Sequence, residues 1–257
     1  LPPGFSEIKI IDIVIEPDRK RMGAHAARLA ADALRSALRE RGFARIIVAT
    51  GSSQFEVLDS LVQEPDIAWD RIDGFHLDEY VGLAPTHPAS FCGYLKERFV
   101  DRVPLRSFHY LDGLADPDAV CRSAEKAIRV ASVDLAMIGI GENGHLAFND
   151  PPADFEAEAA YHVVPLDEAC RRQQVGEGWF ASLEDVPKRA ISMTIREILR
   201  ARRIVCSVPD ARKAEAVRAA IEGPLTNLLP ASILRQHPNT TVLLDVASAQ
   251  LLTRSHA

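Results

Sequence analysis

The chain has 257 residues, 47% of them hydrophobic and 26% charged, a balance that suits a globular fold and excludes a disordered or membrane-embedded one. A formal net charge of −6 argues against a general nucleic-acid-binding or anionic-membrane surface. Cys92, Cys121, Cys170 and Cys206 show neither Cys-x-x-Cys nor Cys/His metal spacing, so they read as reduced packing residues.

Ile8 to Ile15 is apolar and β-rich, a predicted first strand. Asp18 to Arg41 carries Ala and Leu at helical spacing and stops at Gly42. Ala44 to Ala49 reads as a buried strand that runs into Thr50-Gly51-Ser52-Ser53 and a short helix from Gln54 to about Gln63. Ile72 to Leu77 is another strand, followed by Asp78-Glu79-Tyr80 and a Pro-containing loop to about Ala89. Ser90 is placed to cap a helix to Val100. Phe108 to Leu111 is predicted as a short strand and Pro117 to Val130 as a helix.

Leu135 to Ile140 is an apolar run without polar alternation, the pattern of a strand buried on both faces of a parallel sheet. Glycines at 139, 141 and 144 follow, with Glu142, Asn143, His145, Asn149 and Asp150 among them. Tyr161 to Pro165 is predicted as an edge strand. Asp167 to Pro187 is irregular, with Glu177 between Gly176 and Gly178, and reads as a lid over about 167–187. Ala190–Ile195, Arg203–Val208 and Thr240–Asp245 are further strands. Helices are predicted near Ile195–Arg200, Ala211–Glu222 and Pro230–Gln236.

No repeat, low-complexity tract or linker divides the chain, so 1–257 is expected to form one domain. Strands alternating with helices predict an α/β fold, a Rossmann-like doubly wound and mostly parallel sheet with helices on both faces. No signal peptide or apolar run of membrane-spanning length stands out, and a cytoplasmic protein without membrane or nucleic-acid partners is expected.

In a parallel sheet, four strand ends carrying chemistry would share one rim: Thr50 to Ser53, Asp78-Glu79, Gly141 to Asp150, and Pro209 to Lys213. Backbone N–H groups and hydroxyls at 50–53 suit a phosphate, although a plain Ser cap explains them equally. Lys213 offers a point charge, or is a solvated surface lysine. Asp78 is a candidate general base, or a turn cap. His145 is a candidate acid/base, with Asp150 to orient it; no second His stands at metal-ligand spacing.

Together these residues resemble the glucosamine-6-phosphate deaminase/isomerase family, which is related to the 6-phosphogluconolactonases. The likeness rests on Thr50-Gly51-Ser52-Ser53, Phe75-His76-Leu77-Asp78-Glu79-Tyr80-Val81-Gly82-Leu83 and Gly139-Ile140-Gly141-Glu142-Asn143-Gly144-His145-Leu146-Ala147-Phe148-Asn149-Asp150-Pro151. It continues through Val186-Pro187-Lys188, Lys213-Ala214, Ala220-Ile221-Glu222-Gly223 and Leu234-Arg235-Gln236-His237-Pro238.

The resemblance implies conversion of glucosamine 6-phosphate and water to fructose 6-phosphate and ammonia, with no metal and no organic cofactor. It implies a small-molecule sugar phosphate as partner and a homo-oligomeric enzyme. By position it makes Asp78 the base moving a proton between C1 and C2, and His145 the ring-opening acid/base. Asp150, with Asn143, supports that histidine, and Thr50, Gly51, Ser52, Ser53, Gly144 and Lys213 bind substrate or its phosphate. A lactonase acting on a sugar-acid phosphate and a non-catalytic sugar-phosphate sensor are the competing expectations. Three positions depart from the family: Asn143 replaces an Asp, Asp150 replaces a Glu, and Gln174 to Phe180 replaces a stretch whose Arg grips phosphate. Arg171 and Arg172 are the nearest substitutes for that Arg.

Overall fold

The computed structural model describes residues 11–253. In chain order the strands are β1 (Asp12–Glu16), β2 (Ala44–Val48), β3 (Ile72–His76), β4 (Asp78–Tyr80), β5 (Ser107–His109), β6 (Leu135–Ile138), β7 (Tyr161–Pro165), β8 (Arg189–Met193), β9 (Arg203–Val208) and β10 (Thr240–Asp245). The helices are α1 (Arg19–Arg41), α2 (Phe55–Leu61), α3 (Phe91–Arg98), α4 (Pro117–Ile128), α5 (Glu168–Gly176), α6 (Ile195–Ile198), α7 (Ala214–Glu222) and α8 (Val246–Ala249). The start of the predicted first strand, 8–10, lies outside the described residues.

A seven-stranded sheet in the order β1-β10-β9-β6-β2-β3-β5 is parallel at every pairing. Its inner strands β2, β6, β9 and β10 are mostly apolar and buried because both faces are covered, while the edge strands β1 and β5 are only partly buried. Ile46, Val48, Leu135, Met137, Val205 and Leu243 pack on one side with α1, α2 and α3. The alternate residues Ile47, Ala136, Ile138, Ile204, Cys206, Val242 and Leu244 pack on the other with α4 and α7. Each such aliphatic side chain contributes on the order of 1.5–3 kcal/mol by leaving water. From β2 the chain builds outward to β3 and β5; from β6 it builds the other way to β9 and β10. The reversal lies between β2 and β6, where open parallel sheets form a crevice.

Helix α1 sets the position of the loop that follows β2. Asp18 caps its start by accepting from the Arg21 N–H, and Gly42, at φ 76°, ends it by returning its N–H to Leu38. Ala26, Ala27, Ala30 and Ala31 are fully buried. At Gly23 a Cβ would overlap Glu56, so α1 and α2 approach closely there.

The sequence reading placed Tyr161–Pro165 and Ala190–Ile195 among the strands of one sheet and Asp78-Glu79-Tyr80 at the head of a loop. Instead these three segments pair with one another. β4, β8 and β7 form a separate antiparallel sheet, with Asp78 opposite Ser192 and Tyr161 opposite Met193. Only Leu77 separates β3 from β4, so one run of chain leaves the large sheet and enters the small one directly above the rim.

Asn149 ties the loop after β6 to this small sheet. Its amide donates to the Leu146 carbonyl (2.8 Å), to Ser192 Oγ (3.2 Å) and to the Met193 carbonyl (2.8 Å). Its oxygen lies 2.9 Å from His162 Nε2. Replacing Asn149 with Ala should leave buried acceptors unpaired and cost about 1–3 kcal/mol in a denaturant titration. No change in the unfolding midpoint would mean that the loop is held by packing alone.

Candidate active site

The four strand ends meet. β9, β6, β2 and β3 are neighbours, and the segments that follow them line one cavity together with residues of α5 and the turn after it. Thr50, Gly51, Ser52, Ser53, Asp78, His145 and Lys213 all face it.

Asp78 is delivered by the β3–β4 junction and is 6% exposed. Its Oδ1 makes no hydrogen bond. Burial, with Glu79 alongside, pushes its carboxyl up to about 8. Glu79 faces the other way and accepts from Ser90 Oγ (3.0 Å) and the N–H groups of Tyr80 (2.8 Å) and Cys92 (2.7 Å). Adjacent strand residues point to opposite faces, so one carboxylate of the Asp-Glu pair is structural and the other is open to the cavity.

His145 stands on the loop after β6. Gly141 makes room for it, since a Cβ at 141 would overlap the imidazole. Behind the ring, Nδ1 lies 3.1 Å from Asp150 Oδ1. The separation is that of a hydrogen bond, although the ring nitrogen is not aligned for one. Burial alone would raise the Asp150 carboxyl. The contacts from His145, from the Asn143 amide and from the Asp167 N–H outweigh it and hold Asp150 below its usual value.

Asn143 does not touch the imidazole. Its Nδ2 donates to Asp150 Oδ1 at 3.1 Å, and its Oδ1 accepts from the His145 backbone N–H at 3.1 Å. Asn143 and Asp150 therefore sit behind His145 rather than on the cavity wall. Gly144 is not on the wall either. At φ 82° it turns the loop, and a Cβ there would overlap Leu229, so the turn itself requires glycine.

Across the cavity, Gly51 at φ 88° lets the loop after β2 turn into a single 3-10 turn at Ser52–Gln54. Gln54 pins this loop to the end of β6 by donating to the Ile138 carbonyl. The Tyr94 hydroxyl donates to the Gly51 carbonyl. Lys213 is carried into the cavity by a 3-10 turn that Asp210 caps. Its ammonium is 7% exposed, so it is not a surface lysine. Burial lowers its pKa, and Glu177, with Glu142, opposes that fall.

Arg171 and Arg172 do not enter the cavity. Arg171 donates to the Leu183 and Val186 carbonyls, and Arg172 pairs with Glu168 on the surface. The side chains from this segment that do enter are Gln173, Gln174 and Glu177, which the sequence reading did not select. The available signal was an isolated acid between two glycines.

Among the described residues, two groups lie close enough to hold a metal: His76, Glu79 and Cys92, and His145, Asp150 and Cys170. In the first, Glu79 is already occupied by N–H and O–H donors. In the second, burial, with the Asp150 and Asp167 carboxylates, keeps the Cys170 thiol protonated, and His145 Nδ1 faces Asp150.

The Asn143 geometry predicts the effect of Asn143→Asp. A carboxylate cannot donate to Asp150, and it would stand beside both Asp150 and Asp167. Its own pKa would be raised in the folded state, so the penalty is largest at neutral pH and shrinks as pH falls through that raised value. The expected loss is about 1–3 kcal/mol of stability near pH 7, with reduced turnover. Thermal melts at pH 7 and pH 5 check it; equal losses at both would remove the charge argument.

Residues 17–243 match the family model for glucosamine-6-phosphate isomerases/6-phosphogluconolactonase. A glucosamine-6-phosphate deaminase from Arthrobacter sp. (strain FB24) is 37% identical over 249 residues, covering 94% of this chain and 93% of that protein. A solved structure described as a monomeric glucosamine-6-phosphate deaminase superposes with a TM-score of 0.85 at 32% identity, covering 94% of this chain and 100% of the other. The 6-phosphogluconolactonase of Shewanella baltica OS155 shares the fold, with a TM-score of 0.76 at 19% identity over 94% of this chain and all of its own. With the family model spanning most of its length, this chain belongs to the glucosamine-6-phosphate isomerase/6-phosphogluconolactonase family.

Proposed function

We propose that this protein is a glucosamine-6-phosphate deaminase, converting glucosamine 6-phosphate and water to fructose 6-phosphate and ammonia. The observation that carries the reading is Asp78, a buried carboxylate with an unpartnered oxygen, facing the same cavity as His145 and Lys213.

His145 moves a proton between the ring oxygen and the C1 hydroxyl, opening the pyranose to its aldehyde. Asp78 then takes the proton from C2, acidic because it stands beside the C1 carbonyl, and returns it to C1. With one proton passing from the C2 ammonium to the C1 oxygen, this leaves a C2 iminium and a C1 hydroxymethyl group. Water adds to C2, and loss of ammonia leaves the ketone. A carboxylate raised to about 8 is a stronger base than an ordinary one, as removal of a carbon-bound proton requires. Asp150 steadies His145, and Asn143 holds Asp150 and the loop. Thr50 to Ser53 and Lys213 form the phosphate cradle.

Lactone hydrolysis is the alternative within the family. It needs water activated by His145 and leaves Asp78 no proton to move. Asp78 and the named deaminase relatives together favour the deaminase. The chain works as one sugar-phosphate domain with a cover at about 167–187. The named site groups come from one chain, which we expect to work in the homo-oligomer that the resemblance implies. We place the enzyme in the cytoplasm: its four cysteines are free and buried, and no helix among the described residues is long and apolar enough to cross a membrane.

The decisive variant is Asp78→Asn, which should bind sugar phosphate but release almost no ammonia and exchange no C2 hydrogen with solvent. Wild-type kcat/KM should rise with pH up to about 8, because the base works only when ionised. Because its folded-state pKa is raised, Asp78 costs the fold stability progressively as pH rises from the ordinary carboxylate range to about 8. Asp78→Asn should therefore raise Tm relative to wild type by an amount that grows over that range and levels off above it. Near-normal ammonia release from Asp78→Asn would eliminate the isomerising mechanism.

Lys213→Ala should raise KM roughly tenfold to a hundredfold, the worth of a charge-assisted contact to phosphate. A steady-state assay on glucosamine 6-phosphate reads this directly. An unchanged KM would move the phosphate elsewhere.

A further inference from the structure

Glu177 reaches into the cavity from the turn that ends α5. Its carboxylate meets the groups assigned above to the phosphate. Oε1 lies 3.7 Å from Lys213 Nζ and accepts from Gln173 Nε2 at 2.7 Å. Oε2 accepts from Trp179 Nε1 at 3.2 Å and from Ser52 Oγ at 3.4 Å. The carboxylate is 6% exposed and Lys213 is 7% exposed, so each is the buried counter-charge of the other. With Glu177 in place the cavity measures about 80 Å³. Sites for small organic ligands run to roughly 300–1,000 Å³.

We propose that Glu177 is a built-in occupant of the phosphate cradle, displaced by the substrate's phosphate, and that this exchange selects for ligands carrying a phosphate dianion. The proposal rests on the sugar-phosphate reading of the site. A phosphate brought beside Lys213 with Glu177 still there would face a second anion at contact distance in a poorly solvated space. A buried ammonium left with no anion is also costly. The two anions must therefore exchange. A neutral sugar offers Lys213 no replacement charge and leaves Glu177 seated. A dianion with three acceptor oxygens can replace the carboxylate at Lys213 and Ser52.

The turn is built to move. Gly176 and Gly178 flank Glu177, Gly178 lies at φ 82°, and both have open space at the Cβ position. The surrounding segment stays anchored, because Cys170 and Phe180 are buried with Tyr80, Phe91 and Phe148 against the small sheet. Rotation of the Glu177 side chain, or a shift confined to 176–178, is enough to clear the cradle.

The test is calorimetric binding of inorganic phosphate and of glucosamine 6-phosphate to wild type and Glu177→Gln, with Lys213→Ala as control. Tryptophan emission of the wild type is followed alongside. The chain has two tryptophans, and Trp69 packs against Phe99 in the core, so changes on phosphate addition report Trp179. Glu177→Gln should bind both ligands about tenfold more tightly than wild type, the scale of one charge-assisted contact. Phosphate should shift Trp179 emission in wild type as the indole loses its acceptor. Equal or weaker binding by a folded Glu177→Gln overturns the proposal and leaves the cradle intact, as does phosphate binding to wild type without an emission change. If neither protein binds phosphate, the sugar-phosphate reading falls and the proposal falls with it.

Discussion

β6 is hydrogen-bonded in parallel register to β2 on one side and β9 on the other, with Leu135 opposite both Ile46 and Arg203. Because all three run the same way, their carboxyl ends bring the loops at 50–53, 139–150 and 209–213 to one rim, and β3 adds Asp78 beside them. An antiparallel partner at any of these positions would send one of the loops to the opposite edge. The continuous burial of both sheet faces keeps that order in place. No strand of this group can slip by one residue without turning core side chains into the wrong layer.

On that rim the charges are kept in separate environments. Asp78 is buried beside Glu79, so its proton is held tightly. Asp150 is surrounded by donors and stays ionised. Two carboxylates of similar intrinsic acidity are thus pushed apart by surroundings alone, one toward base chemistry and one toward constant support of an imidazole. Lys213 and Glu177 form a third, self-neutralising couple. The raised Asp78 carboxyl costs folding free energy at neutral pH, which is the usual mark of a site shaped by function.

The fold by itself does not choose among the family's chemistries, since the Shewanella lactonase has the same architecture at 19% identity. The proposed choice rests on Asp78, which the small antiparallel sheet holds in place. β4 carries Asp78 out of the large sheet, β8 braces it, and Asn149 locks the His145 loop against β8. Asp78 and the His145 loop are thereby tied to one small sheet rather than to independent loops.

The sequence by itself determined the alternating α/β order, the stop of α1 at Gly42, a buried strand starting at Leu135 and the candidacy of Asp78, His145, Asp150 and Lys213. These are local features: apolar runs, caps, and polar residues placed at the ends of buried strands. The tertiary structure alone decided the rest. Asp78-Glu79-Tyr80 became a strand because β8, more than a hundred positions onward, pairs with it, a contact that no local propensity encodes. Asn143 was placed beside Asp150, and Gly144 against Leu229, by the direction in which a folded loop turns its side chains. Arg171 and Arg172, chosen for their charge, point to carbonyls and to solvent. Glu177 enters the cavity because α5 ends where its next side chain faces Lys213, and that position depends on how α5 docks on the small sheet.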